Sequence, residues 1–177
     1  MNLPNLLTLI RILFIPLFVF FLIYKHYDWS LITLALSAIS DALDGFIARF
    51  FHQKTTLGAY LDPIADKLLL VTSYITFSIL KIIPDWLTII VISRDVIISL
   101  GVLLLFINSY PLEIRPSVIS KFTTLSQFLT LFLSLLYSYY RLNPTFLQIL
   151  YAITGVFTIA SGLHYLYRGA KIIDSVS

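Results

Sequence analysis

The chain has 177 residues, of which 59% are hydrophobic and 12% charged, and its mean hydropathy is +0.93. A soluble domain carries roughly twice that charged fraction, so the composition predicts several membrane spans. The net charge of +3 comes from scattered basic residues, which excludes a nucleic-acid interface and fits flanks that face anionic lipid headgroups. The absence of cysteine excludes disulfides, thiolate metal sites and cysteine nucleophiles.

Six apolar segments follow one another along the chain, separated by polar and turn-forming residues. Each is about 20 residues long, which matches a ~30 Å hydrocarbon layer at a rise of 1.5 Å per residue. The predicted spans are 6–24, 30–50, 57–80, 85–108, 117–140 and 145–167. We therefore predict an all-α integral membrane protein with six transmembrane helices, forming a single domain over residues 1–177.

The distribution of basic residues predicts the orientation of these spans. With six spans, both termini share one side with the second-to-third and fourth-to-fifth connections. That side collects Arg49, Lys54, Arg115, Lys121, Arg168 and Lys171. The opposite side collects Lys25, Lys81 and Arg141. Both termini are therefore expected in the cytoplasm, with the protein in a bacterial inner membrane.

Apart from Asp85, which begins the fourth predicted span, five acidic residues fall inside the spans: Asp41, Asp44, Asp62, Asp66 and Asp95. A carboxylate inside a membrane helix costs about 2.5–3.5 kcal/mol, so each needs a partner or a function. The first four lie within 26 positions of one another. Such a concentration indicates a functional centre near the cytoplasmic face.

The spacing of these four aspartates predicts a metal site. Asp41 and Asp44 are three residues apart and Asp62 and Asp66 are four apart, so each pair shares one helix face. If the connection turns the two helices antiparallel, the four carboxylates converge and repel one another. Divalent cations relieve that repulsion, and oxygen-only ligands suit Mg²⁺, Mn²⁺ or Ca²⁺. Zinc is disfavoured because neither aspartate pair includes a histidine or a cysteine.

Small residues and one arginine accompany the aspartates. Gly45, Ala48 and Gly58 lie beside or one turn from a carboxylate and would let a ligand approach the backbone closely. Arg49 is well placed to bind a phosphate. Together, metal ligands, an arginine and bare backbone predict a diphosphate-binding site.

The segment from Asp41 to Asp66 resembles the signature of the CDP-alcohol phosphatidyltransferase family. That signature is D-x-x-D-G-x-x-A-R, eight residues, then G-x-x-x-D-x-x-x-D. All eight of its residues are present at the usual spacing. The resemblance extends over the whole chain, including the opening Asn2-Leu-Pro-Asn5.

The resemblance implies transfer of a phosphatidyl group from CDP-diacylglycerol to an alcohol, with release of CMP. It implies that Asp41, Asp44, Asp62 and Asp66 hold two cations, Mg²⁺ or Mn²⁺, and that Asp66 is also the general base. It further implies a CDP pocket formed by Asp41, Asp44, Gly45, Ala48, Arg49, Gly58 and Asp62. Family members commonly form homodimers. Direct displacement and a covalent intermediate both stay open.

The acceptor alcohol is expected to be of the glycerol type. Arg94 and Lys121, predicted at buried positions, are candidates to bind its phosphate, with Lys67 as a further contact. Asp95 is expected to pair with Arg94 or Lys121. These stretches resemble cardiolipin synthases, which use phosphatidylglycerol, whereas the N-terminal half equally resembles phosphatidylglycerophosphate synthases, which use glycerol 3-phosphate. The second group typically has an arginine at the place of Val102.

Other interpretations remain beside this one. The acceptor could instead be inositol phosphate or serine. The aspartates could form a structural ion-pair network, although Arg49 and Lys67 are the only cations near them in sequence. They could line a cation channel or transporter, but pathway carboxylates usually span the membrane depth, whereas these cluster at one level. Arg94 with Asp95 could be a local charge pair, and Lys121 could extend to the membrane interface.

Overall fold

The computed structural model consists of α-helices joined by short turns in the residues that it describes. The backbone is described for residues 3–50, 56–108, 117–140 and 144–174, and the side chains for 8–40, 64–105, 107–108, 117–140 and 145–172. Six helices lie in these ranges: α1 (Leu3–Ile23), α2 (Tyr27–Phe50), α3 (Thr56–Ile79), α4 (Asp85–Ile107), α5 (Val118–Tyr140) and α6 (Pro144–Asp174). Each coincides with one predicted span to within three residues at either end, except that α6 continues seven residues further, through a last turn that contains Lys171.

Three of the described helices have the apolar length expected of membrane spans. Within the described residues, three stretches are long and apolar enough to cross a membrane, namely Asp85–Leu105, Val118–Tyr140 and Thr145–Ile172. Thr8–Ile23 is a shorter apolar helix. Large apolar side chains such as Ile89 and Leu104 are more than 60% exposed on α4. Faces of this kind suit contact with lipid tails, because such tails are as apolar as leucine.

Contacts between helices divide the chain into two units. The first comprises Met1–Ile83 and Leu131–Leu142. In it α1 packs against both α2 and α3, and the buried side chains include Phe18, Leu34 and Phe77. The rings of Phe18 and Phe77 lie 6.2 Å apart between centroids. This packing holds α1 along the helix that carries Asp62 and Asp66.

Both α1 and α3 end in the same backbone arrangement. Lys25 and Lys81 follow the two helices with φ values of 60° and 57°. In the first case the amide of His26 donates to the carbonyl of Phe21 at 2.8 Å, and Lys25 donates to Leu22 at 3.1 Å. This is the pattern of a Schellman motif, in which a residue in the left-handed conformation closes the helix. Lysine is less suited than glycine to that conformation.

The second unit comprises Pro84–Thr130 and Asn143–Ser177. In it α4 packs along α6, and hydroxyl groups of α5 bond to α6. The hydroxyls of Thr130 and Thr154 lie 2.7 Å apart, and Thr123 donates to the carbonyl of Phe157 at 3.0 Å. Hydrogen bonds of this kind between helices are typical of membrane proteins. They fix the first half of α5 against α6 close to Arg94.

Candidate active site

Asp66 lies in α3 and forms an ion pair with an arginine from α1. Arg11 Nη1 donates to Asp66 Oδ1 at 2.5 Å, across 55 positions of sequence. The Arg11 side chain is fully buried, whereas that of Asp66 is 44% exposed. The pair therefore has one end inside the helix packing and the other accessible to a ligand.

Arg11 was not among the residues predicted to act at the site. It lies in the predicted first span, and an arginine inside a span is as much in need of a partner as an aspartate. The charge of Arg11 within an apolar segment is therefore a sequence signal that marks it as a candidate. Its partner could not be predicted, because pairing Arg11 with Asp66 requires knowing that α1 packs against α3.

Arg11 also changes the balance of charge around the aspartates. Arg49 and Lys67 were the only cations that sequence proximity offered, and α1 supplies a third. Of the four aspartates, Asp66 thus has a cationic partner from another helix, while the side chains of the other three lie outside the described residues.

The other signature residues are described by their backbone alone. Asp41 and Asp44 lie in α2 and Asp62 lies in α3, so the helical spacing on which the metal prediction depends is confirmed. Their side chains, those of Ala48 and Arg49, and the surroundings of Gly45 and Gly58 lie outside what the structure describes. Within the described side chains no group of three metal-ligating residues occurs. The accessible carboxylate of Asp66 is an oxygen donor of the type that Mg²⁺ and Mn²⁺ accept, so it fits the proposed cations.

Arg94 forms the second charged cluster, in the other unit. Its Nη1 donates to Asp95 Oδ1 at 2.6 Å, which confirms the predicted pairing of Asp95. Its Nη2 donates to the hydroxyls of Ser120 on α5 at 2.9 Å and Ser161 on α6 at 3.0 Å. The ring of Tyr165 lies 5.9 Å from the guanidinium carbon. Three helices therefore fix the position of this one cation.

The guanidinium of Arg94 retains hydrogen-bonding capacity. Its side chain is 10% exposed, and its Nε atom is buried with no hydrogen-bond partner among the residues described. A buried N–H without a partner is unfavourable, so an acceptor oxygen brought by a ligand would stabilise it. Arg94 thus remains a candidate to bind a phosphate as well as a member of a local charge pair.

The two predicted lysine contacts lie on exposed surfaces. Lys67 and Lys121 are both exposed, so the prediction of a buried position for Lys121 is wrong. The reason is its place on α5, whose buried stripe runs through Thr123, Gln127 and Thr130 at helical spacing. Position 121 falls outside that stripe.

Comparison with known proteins identifies the family. The sequence model of the CDP-alcohol phosphatidyltransferase family matches residues 1–160. The chain belongs to this family. The matched region includes the whole signature from Asp41 to Asp66.

Relatives of this chain carry two different names. It is 32% identical to a rat cardiolipin synthase (CMP-forming) and 31% identical to the human one, over 99% of this chain. It spans 64% of the length of each of those proteins. It is also 34% identical to a CDP-diacylglycerol–glycerol-3-phosphate 3-phosphatidyltransferase of Aquifex aeolicus, over 98% of both chains.

Proposed function

We propose that this protein transfers a phosphatidyl group from CDP-diacylglycerol to a glycerol-type acceptor and releases CMP. The observation that carries the proposal is the complete signature, whose last aspartate is accessible and is held by the buried Arg11. Membership of the family and the names of its relatives support the same reaction class.

In this proposal, Asp66 and Arg11 act at the acceptor hydroxyl. Asp66 takes the proton from the acceptor hydroxyl, whose oxygen then attacks the phosphorus that bears the diacylglycerol. The bond from that phosphorus to the bridging oxygen breaks, and CMP leaves with the bridging oxygen. Arg11 holds the Asp66 carboxylate in position by its charge-assisted hydrogen bond.

The remaining signature residues bind the donor. Arg49 would contact the diphosphate, while Gly45, Ala48 and Gly58 leave room beside the backbone for the CDP group. The four aspartates Asp41, Asp44, Asp62 and Asp66 would hold two divalent cations, Mg²⁺ or Mn²⁺. When bound, these ions neutralise the diphosphate and stabilise the charge that develops on the leaving CMP.

Arg94 is proposed to bind the phosphate of the acceptor, with Lys121 and Lys67 as outer contacts. Its spare Nε donor and its fixed guanidinium support this part. Glycerol 3-phosphate and phosphatidylglycerol both carry a glycerol hydroxyl and a phosphate, so a cation at this place suits either. The relatives' names divide in the same way between the two acceptors.

The proposed setting is a membrane-embedded homodimer. Residues 1–177 would form one transferase domain with six spans, both termini in the cytoplasm of a bacterium and the aspartates near that face. Three of the six helices support this by their apolar length. Cysteine labelling of positions near residues 25 and 171 in intact cells would test the orientation.

The experiment that tests the reaction uses the purified full-length protein with CDP-diacylglycerol and Mg²⁺ or Mn²⁺. Glycerol 3-phosphate, phosphatidylglycerol, inositol phosphate and serine are supplied one at a time, and the lipid products are separated by chromatography. A product with glycerol 3-phosphate or phosphatidylglycerol, lost on chelation of the metal, supports the proposal. A product with serine or inositol phosphate alone contradicts the acceptor class, and no CMP release with any acceptor contradicts the reaction.

A further inference from the structure

Two serines, Ser120 on α5 and Ser161 on α6, hold the same nitrogen of Arg94. Their hydroxyl oxygens accept hydrogen bonds from Arg94 Nη2 at 2.9 and 3.0 Å. The side chain of Ser161 is fully buried, and Ser120 is half-buried. The serines lie 26 and 67 positions away from Arg94 in sequence, so the place of this nitrogen depends on the arrangement of three helices.

The backbone of α6 also supports the aliphatic stem of Arg94. A Cβ atom built on Gly162 would lie 3.5 Å from Arg94 Cγ and 3.9 Å from Arg94 Cβ. Because these are ordinary van der Waals distances, the stem lies directly along α6, beside Ser161. One helix therefore fixes the stem of Arg94, at residue 162, and one end of its guanidinium, at residue 161.

The first turn of α5, which carries Ser120, is itself held in place. Ser117 precedes the helix, and its hydroxyl accepts a hydrogen bond from the amide of Ser120 at 3.1 Å, as an N-cap residue does. In the same turn Thr123 donates to the carbonyl of Phe157 on α6 at 3.0 Å. The cap and the packing together determine where the Ser120 hydroxyl lies.

Asp95 competes for the same guanidinium. Adjacent residues on a helix do not face each other, and among the described residues Asp95 accepts one hydrogen bond from Arg94, through Nη1 at 2.6 Å. Arginine and carboxylate groups frequently form two parallel hydrogen bonds. The two side chains are 10% and 9% exposed, so little water weakens their attraction. A second bond to Asp95 would use Nε, the donor that has no partner among the described residues.

We propose that Ser120 and Ser161 are positioning residues that keep Arg94 from forming a two-bond ion pair with Asp95. By holding Nη2 towards α5 and α6, they limit Asp95 to Nη1 and leave Nε to donate to the acceptor phosphate. Without the serines, the guanidinium turns towards Asp95, and Nε is satisfied within the protein. The role of the serines rests on the proposed function, in which Arg94 binds that phosphate.

The test is steady-state kinetics of the purified full-length protein with CDP-diacylglycerol and with glycerol 3-phosphate or phosphatidylglycerol, whichever gives a product. Ser161→Ala and Ser120→Ala should each raise the KM for that acceptor about fivefold, and the double variant about 10–100-fold, as for Arg94→Gln. The kcat and the KM for CDP-diacylglycerol should change less than about twofold, because only acceptor binding is affected. Ser120→Thr keeps the hydroxyl and should keep the wild-type KM.

A second readout does not depend on turnover. The same variants are titrated with glycerol 3-phosphate in a calorimeter, without the donor. The dissociation constant should rise by the same factors as the KM for the acceptor.

Asp95→Asn distinguishes positioning from a general structural effect. In this variant an amide oxygen still accepts the bond from Nη1, but no negative charge competes for Nε. Ser161→Ala should therefore raise the KM less than about twofold in the Asp95→Asn background, a coupling that a double-mutant cycle measures. A serine that only stabilised the fold would give the same factor in both backgrounds.

Ser37→Ala is the matched control. Ser37 is also fully buried, but its hydroxyl donates to the carbonyl of Thr33 within α2 at 2.9 Å. Thr124→Ala removes an exposed hydroxyl of α5 that donates to the backbone carbonyl of Ser120. Both variants lack contact with the guanidinium and should leave the KM for the acceptor unchanged.

Two results would overturn the positioning role alone. If Arg94→Gln raises the KM for the acceptor but the double serine variant does not, Arg94 binds the phosphate without help from the serines. A lower KM in Ser161→Ala would mean that the serines compete with the phosphate for Nη2. An unchanged KM and an unchanged dissociation constant in Arg94→Gln would instead contradict the proposed acceptor site, and the role of the serines with it.

Discussion

Two arginines, one on α1 and one on α4, each pair with an aspartate, but they do so in different ways. Arg11 reaches from α1 to Asp66 on another helix, 55 positions away, and is fully buried. Arg94 pairs through Nη1 with its neighbour in sequence, Asp95, and its Nη2 donates to hydroxyls of α5 and α6. The first pair joins the signature to the helix packing, while the second provides a fixed cation with a spare donor. In the proposed function, the first arginine positions the carboxylate assigned as the base, and the second binds the phosphate of the acceptor.

Replacing Arg11 should have the largest effect among the cations. Arg11→Ala removes the partner of Asp66 and leaves a space in the packing, so we expect a loss of about 2–3 kcal/mol in the free energy of unfolding. The accessible side of Asp66 limits the loss, because water can solvate that carboxylate. CMP release should also fall at least about tenfold, since a displaced catalytic group is less effective.

Arg11→Lys separates the contribution of Arg11 to stability from its role in positioning Asp66. Lysine keeps the charge but cannot reproduce the rigid planar fork of arginine. Thermal unfolding should therefore recover more than kcat does. If kcat returned fully with lysine, only the charge at this position would matter, and the positioning role would be wrong.

Replacing Arg94 should act on the acceptor. Arg94→Gln removes a charged donor from the proposed phosphate site, and losing one charge-assisted bond should raise the KM for the acceptor about 10–100-fold. The KM for CDP-diacylglycerol should change little. Steady-state kinetics with each substrate varied in turn distinguishes the two, and an equal rise in both KM values would contradict the assignment.

Lys121 provides the comparison with an exposed cation. Lys121→Gln removes a charge from the surface of α5, where ion pairs and phosphate contacts are weak, so the KM for the acceptor should rise by less than about threefold. The same kinetics measure it. A rise as large as that of Arg94→Gln would make Lys121 a principal phosphate ligand.

The smallest expected effect is on stability, at the residue that follows α1. Lys25 has a φ of 60°, so Lys25→Gly should stabilise the protein by up to about 1 kcal/mol without changing either KM. Thermal unfolding detects the gain. Unchanged or lower stability would mean that the lysine side chain offsets its backbone strain.

The six helices of the described chain were predictable from the apolar segments, because a ~20-residue apolar run between turn residues is typical of a membrane helix. Helical spacing likewise predicted that Asp62 and Asp66 share α3. The partner of Asp66 could not be predicted in this way, since Arg11 reaches it only through the packing of α1 on α3. The predicted buried position of Lys121 is wrong because residue 121 lies off the buried stripe of α5, and which face of that helix is buried depends on its packing.

The central claim is that Asp66 acts as the base in phosphatidyl transfer. The direct measurement is CMP release from CDP-diacylglycerol by purified Asp66→Asn, with metal and acceptor at saturation and with size exclusion to verify folding. Asparagine keeps the size of the side chain but cannot take the proton, so the rate should fall at least about 100-fold. A folded Asp66→Asn protein that released CMP at the wild-type rate would contradict the account.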